Sequence, residues 1–135
     1  MVEIRNAGWL RPPLLALLRE HQVPLALTAY YTMPSLAALQ ARDLDVLTGP
    51  FAYVRFIGDR RRIDRRIEAA IAAGERTRPF ESLIWDREDD LRSWIDALLE
   101  VVATRRTLVY FNNHYGGFGP GSAAMFARLW REIHG

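Results

Sequence analysis

Apolar residues fall along this chain in two rhythms: short runs of strand length and longer stripes at helical spacing. Residues 2–6 read as a strand, with Val2 and Ile4 on one face and Glu3 and Arg5 on the other. Arg11-Pro12-Pro13 opens a helix, because proline fits the first turn, and Leu14, Leu15, Leu17 and Leu18 supply its apolar side. Residues 23–28 read as a second strand, with a proline tolerated at its start. A looser segment follows, with a short helix expected over 35–41. Residues 51–57 (Phe-Ala-Tyr-Val-Arg-Phe-Ile) make the clearest strand, ended by Gly58. Residues 60–73 are expected to be helical, with Ile63, Ile67, Ala70 and Ile71 on one side.

Residues 75–85 read as a connection. Asp86 is then the expected cap of a helix with acids in its first turn and a buried stripe of Leu91, Trp94, Ile95, Leu98 and Val102. Residues 107–111 form a fourth strand, and residues 112–120 a glycine-rich loop. Residues 121–133 close the chain as a helix that packs Phe126, Leu129, Trp130 and Ile133. Strands that alternate with helices predict an α/β fold with four parallel strands and helical crossovers. No repeat and no linker divides the chain, so residues 1–135 are expected to be a single domain.

Composition narrows the chemistry. Half of the 135 residues are hydrophobic and a quarter charged, which suits a packed globule. All 18 basic residues are arginines, a bias most simply set by codon usage. The net charge of +2 argues weakly for nucleic acid, and the arginines of residues 60–66 alternate with Asp59, Asp64 and Glu68 as a solvated helix face does. Binding of nucleic acid through that helix is therefore the weaker alternative. The absence of cysteine excludes disulfides, thiolate metal sites and a cysteine nucleophile. No apolar run approaches the about 20 residues of a membrane span. The first residues are no signal peptide, so a cytoplasmic protein without a membrane partner is expected. No cofactor fingerprint, Ser-His-Asp arrangement or carboxylate pair can be placed, and His114 has no second metal ligand at useful spacing. No cofactor and no metal are expected, and whether the chain is an enzyme is left open.

Three segments carry a likeness: residues 2–10 (Val-Glu-Ile-Arg-Asn-Ala-Gly-Trp-Leu), residues 53–60 (Tyr-Val-Arg-Phe-Ile-Gly-Asp-Arg) with Asp86, Arg87 and Trp94 downstream, and residues 110–117 (Tyr-Phe-Asn-Asn-His-Tyr-Gly-Gly). In this order they resemble the later part of the YecE-like family, the domain of unknown function numbered seventy-two. The resemblance implies a β/α barrel of eight strands, of which this chain would be the C-terminal half, a partial TIM-like barrel. It implies no particular reaction. Where relatives often carry an aspartate after the second strand, this chain has Thr28-Ala29-Tyr30-Tyr31.

In such a barrel, ligands bind at the C-terminal ends of the strands. Glu3, Arg5, Arg55 and Asn112 would then face the axis. Two guanidiniums, with Glu3 orienting one of them and Asn112 and Asn113 donating, make a candidate site for a small phosphate- or carboxylate-bearing ligand. His114 is a candidate acid–base group, and Gly116 and Gly117 offer amides to an anion at a helix start. The competing reading is an ion network around Glu3 in a non-catalytic fragment or interaction module. Arg62 is expected on the helix surface, away from the site. Caps such as Asp86 are expected at the opposite end from Arg5, Arg55 and Asn112. Four strands cannot close a barrel, so open edges should lead to self-association or to pairing with a missing N-terminal half.

Overall fold

β2 (Phe51–Gly58) lies at the centre of a parallel sheet, between β1 (Ala26–Tyr30) and β3 (Arg106–Phe111). The computed structural model describes residues 1–76 and 78–135, so one residue of the 75–85 connection lies outside the described residues. The register aligns Thr28, Arg55 and Tyr110 in one row and Ala29, Phe56 and Phe111 in the next. Side chains alternate across a strand, so these rows point to opposite faces. The face of Ala52, Val54 and Phe56 is buried. Phe56 stacks on Phe111 with ring centroids 4.5 Å apart and meets Trp94 and Tyr115 edge-on. Burying such a ring contributes about 1.5–3 kcal/mol. The other face stays open at Tyr53, Arg55 and Tyr110, the last 50% exposed.

The helices are α1 (Pro12–Glu20), α2 (Leu36–Gln40), α3 (Arg60–Ala72), α4 (Glu88–Thr104), α5 (Asn113–Gly116) and α6 (Gly119–His134). Ser35 caps α2 and Asp59 caps α3, each through its side-chain oxygen. Asp86 accepts from the amide of Glu88 at 2.8 Å, from one residue before the N-cap position itself, which is Arg87. The buried stripe of α4 ends on Val101, while Val102 is 36% exposed. Leu129 of α6 is fully buried, Phe126 and Trp130 pack on the core, and Ile133 is 37% exposed near the end of the helix. Across the outer surface of α4 and α6, Glu88 and Glu132 each bind both Arg92 and Arg128.

Two expectations fail here. The first strand of the four shrinks to one parallel bridge, Val2 with Leu25. Val2 N donates to Pro24 O at 2.9 Å and Ala26 N to Val2 O at 2.8 Å, and the ladder stops. Asn6 explains the stop: its side-chain oxygen accepts from Gly8 N at 2.9 Å and starts a 3-10 turn at Ala7–Trp9, turning the chain away. Ile4 nevertheless reaches the core. The next strand begins at Ala26 because earlier groups are bound elsewhere. Val23 N bonds the end of α1, and the Thr48 hydroxyl accepts from Leu25 N and donates to Val23 O.

The polarity of the two ends also differs from expectation. Arg87 Nε donates to Tyr115 O at 2.8 Å and Tyr115 OH donates to Asp90, so α4 starts beside the C-terminal end of β3. Crossover helices run antiparallel to the strands they join, which puts helix N-termini, Asp86 among them, at the strand C-terminal end. The outer edge of β3 has no strand partner among the described residues.

Candidate functional site

Glu3, Arg5 and Arg55 meet on the open side of the sheet. Arg5 Nε donates to Glu3 Oε1 and Arg55 Nη1 to Glu3 Oε2, each at 2.7 Å. Glu3 therefore holds both guanidiniums rather than one. Burial pushes the Glu3 carboxyl up, but the hydrogen bonds and charges of Arg5 and Arg55 outweigh this and hold it below its ordinary value. Arg5 also lies over the Tyr30 ring, 5.2 Å from its centroid. Tyr53 and Tyr110, neighbours in the sheet, stack at 5.0 Å beside this cluster. The side chains of Arg5 and Arg55 remain 53% and 36% exposed, and each guanidinium has further N–H groups without a partner among the described residues.

The residues after β3 are not an open loop. Asn112 Oδ1 accepts from His114 N at 3.0 Å and faces His114 Nδ1 at 2.7 Å. Asn113 Oδ1 accepts from Gly119 N at 2.8 Å. His114 sits edge-on to Phe80, ring centroids 5.3 Å apart. Gly116 O accepts from Ile84 N and Trp85 N, and Gly117 N donates to Asn113 O. Gly116 and Gly117 are buried, and a Cβ at Gly117 would stand 2.6 Å from Ile84 Cγ1. These glycines thus hold the 84–85 segment close, and several amides of this stretch are already bound within it. Asn112, Asn113, His114, Gly116 and Gly117 are gathered in one turn that starts two residues beyond the row of Arg55 and Tyr110.

The sequence reading missed a cleft at the C-terminal ends of β1 and β2, about 280 Å³ in volume. Arg62, Arg87, Asp59 and Asp90 bring charge to it, and Met33, Trp94 and Tyr30 bring apolar surface. Tyr115, 2% exposed, forms part of its wall. Burial, then the hydrogen bond and charge of Asp90, push the Tyr115 hydroxyl well above its ordinary value, so it stays protonated. Arg62 is on the exposed surface of α3, as expected, and from there lies over the Trp85 ring at 4.5 Å and lines the cleft. One signal was available: Arg87 and Asp90 are three apart at a helix start, hence on one side. Among the described residues no group of three or more His, Asp or Glu side chains could hold a metal ion. No helix among them is long and apolar enough to cross a membrane.

Searches of curated proteins and of solved structures each found no match. A family model, described as protein of unknown function DUF72, matches residues 1–134. With nearly the whole chain matched in one span, this protein belongs to the DUF72 family.

Proposed function

We propose that the chain binds a small anionic ligand, phosphate- or carboxylate-bearing, at Arg5 and Arg55 on the open face of the sheet. We read that sheet as an arc of a β/α barrel whose axis this face lines. The observation that carries the reading is the sharing of Glu3. One carboxylate holds two guanidiniums at 2.7 Å each, which leaves the cluster one positive charge and unpartnered N–H groups on two rigid forks. An ion network built only for stability would be expected to balance its charge, as Glu88 and Glu132 do with Arg92 and Arg128. This cluster does not, and its arginines, a third to a half exposed, stay open to a ligand. Tyr53, Tyr110 and Tyr30 flank it and suit the body of a ligand whose charged group reaches the arginines. Asn112, Asn113 and His114 lie at the rim, where they shape the turn.

Thermal unfolding with phosphate or sulfate, against chloride at equal ionic strength, tests this. Binding to the folded state raises Tm. Arg55→Ala should remove most of the rise, since a direct charge-assisted hydrogen bond contributes about 1.5–3 kcal/mol. Arg65→Ala, on the exposed side of α3, should leave the rise intact. Equal responses from wild type and Arg55→Ala would reduce Arg5, Glu3 and Arg55 to a structural network.

A further inference from the structure

We infer that the cleft between the ends of β1 and β2 is a second binding site, which takes a zwitterion of amino-acid size with an apolar side chain. Size comes first: about 280 Å³ falls just under the about 300–1,000 Å³ of pockets for drug-sized molecules. Charge comes next. The cleft is lined by two arginines, Arg62 and Arg87, and two aspartates, Asp59 and Asp90. A bare phosphate placed against both arginines would also face both carboxylates. A ligand carrying one charge of each sign matches all four groups.

The cations are held ready. Trp85 lies against both guanidiniums, with Cζ of Arg62 at 4.5 Å and Cζ of Arg87 at 5.7 Å from the ring centroid. Arg62 has no carboxylate partner among the described residues. Arg87 spends its Nε on Tyr115 O, and its two terminal nitrogens have no partner among those residues. Arg62 thus rests on Trp85, and Arg87 lies against both Trp85 and Tyr115, whose ring centroid is 5.2 Å from its Cζ, each with donors to spare, the arrangement that receives a carboxylate. The acceptors are also half used. Asp90 takes the Tyr115 hydroxyl on Oδ2, and Asp59 takes the Arg62 amide on Oδ1, which leaves one oxygen of each for an ammonium group. Met33 and Trp94 supply the apolar wall for the side chain. Tyr30 borders both places, but none of the cleft's charged groups belongs to the Glu3 cluster, so the inference stands apart from the anion site on the open face.

Isothermal calorimetry on the full chain tests it, with L-leucine and L-phenylalanine as probes, beside their N-acetyl derivatives, their amides and inorganic phosphate. The free amino acids should bind, and removal of either charge should weaken binding by about tenfold or more. Arg62→Ala and Asp90→Asn should each do the same, whereas Arg55→Ala should leave the affinity unchanged. Arg62 is exposed and its guanidinium makes no hydrogen bond among the described residues, so its variant should fold, and circular dichroism checks that. Failure of every apolar amino acid to bind overturns the inference. So does equal binding of the acetylated or amidated forms, or displacement of the amino acid by phosphate. Loss of the phosphate response at Arg55 with amino-acid binding intact would separate the two sites.

Discussion

Replacing Tyr115 with phenylalanine removes a single oxygen from a ring that is 2% exposed. The ring keeps its edge-on contact with Phe56 at 5.0 Å and its tilted contact with Phe111 at 5.9 Å. What is lost is the hydrogen bond to Asp90. A hydrogen bond to a charged group contributes about 1.5–3 kcal/mol, and Asp90, being exposed, regains water when it is freed. The cost therefore falls near the lower bound, about 1.5 kcal/mol, or roughly 5 °C in Tm for a chain of this length. Tyr115→Ala should cost about 3–5 kcal/mol, because it also empties the space of the ring. The hydroxyl adds a pH signature. Its folded pKa is raised above its ordinary value of 10.0, so its contribution is fully present below that value and is lost as pH rises above it. Above about pH 10, urea unfolding of the wild type should lose up to about 1.4 kcal/mol per pH unit more than Tyr115→Phe does. If Tyr115→Phe matches the wild type at neutral pH within a few tenths of a kcal/mol, and on the alkaline side too, the Tyr115–Asp90 bond carries no stability.

Gly58 and Gly74 both have positive φ, +77° and +72°. A Cβ at Gly58 would stand 2.3 Å from His114 O and 2.5 Å from Tyr115 Cα, while nothing lies within 4 Å of one at Gly74. Urea unfolding should thus show Gly74→Ala costing about 1 kcal/mol and Gly58→Ala more than about 2 kcal/mol; equal costs would mean that β2 does not abut α5 so closely. The Glu88 and Glu132 carboxyls are both held below their ordinary value of 4.5, first of all by Arg128. Their contribution is therefore present above 4.5 and is lost as pH falls, so Tm between neutral pH and about 3 should decline less steeply for Glu88→Gln, and less for the wild type in high salt. An acid limb unmoved by either change would assign the loss to other carboxylates.

How far the sequence could be read depended on the range of the forces involved. β2 was legible because Ala52, Val54 and Phe56 alternate with Tyr53 and Arg55 and no competing local bond interrupts them. Residues 2–6 alternate as well, yet only Val2 pairs, because a local cap by Asn6 outcompetes the ladder and the hydrophobic pattern cannot register that contest. The grouping of Glu3, Arg5 and Arg55 followed from the alternation within each strand and the parallel direction of both. That Glu3 bridges the two arginines did not follow, since register between strands is a tertiary property. The cleft lay further out of reach. Arg62, Trp85, Asp90 and Tyr115 sit on four separate segments, and each has an ordinary local role: a surface charge, a connection, an acid in a first helical turn, an aromatic in a glycine-rich stretch. Only the packing of α4 against the end of β3, through Arg87 and the Tyr115 carbonyl, brings Arg62, Asp90 and Tyr115 into one wall, with Trp85 against the Arg62 and Arg87 guanidiniums. The glycines after β3 have a packing role that the sequence pattern did not show. Gly116 receives the amides of Ile84 and Trp85, and Gly117 leaves room for Ile84, so the turn after β3 positions the aromatic ring on which Arg62 and Arg87 rest.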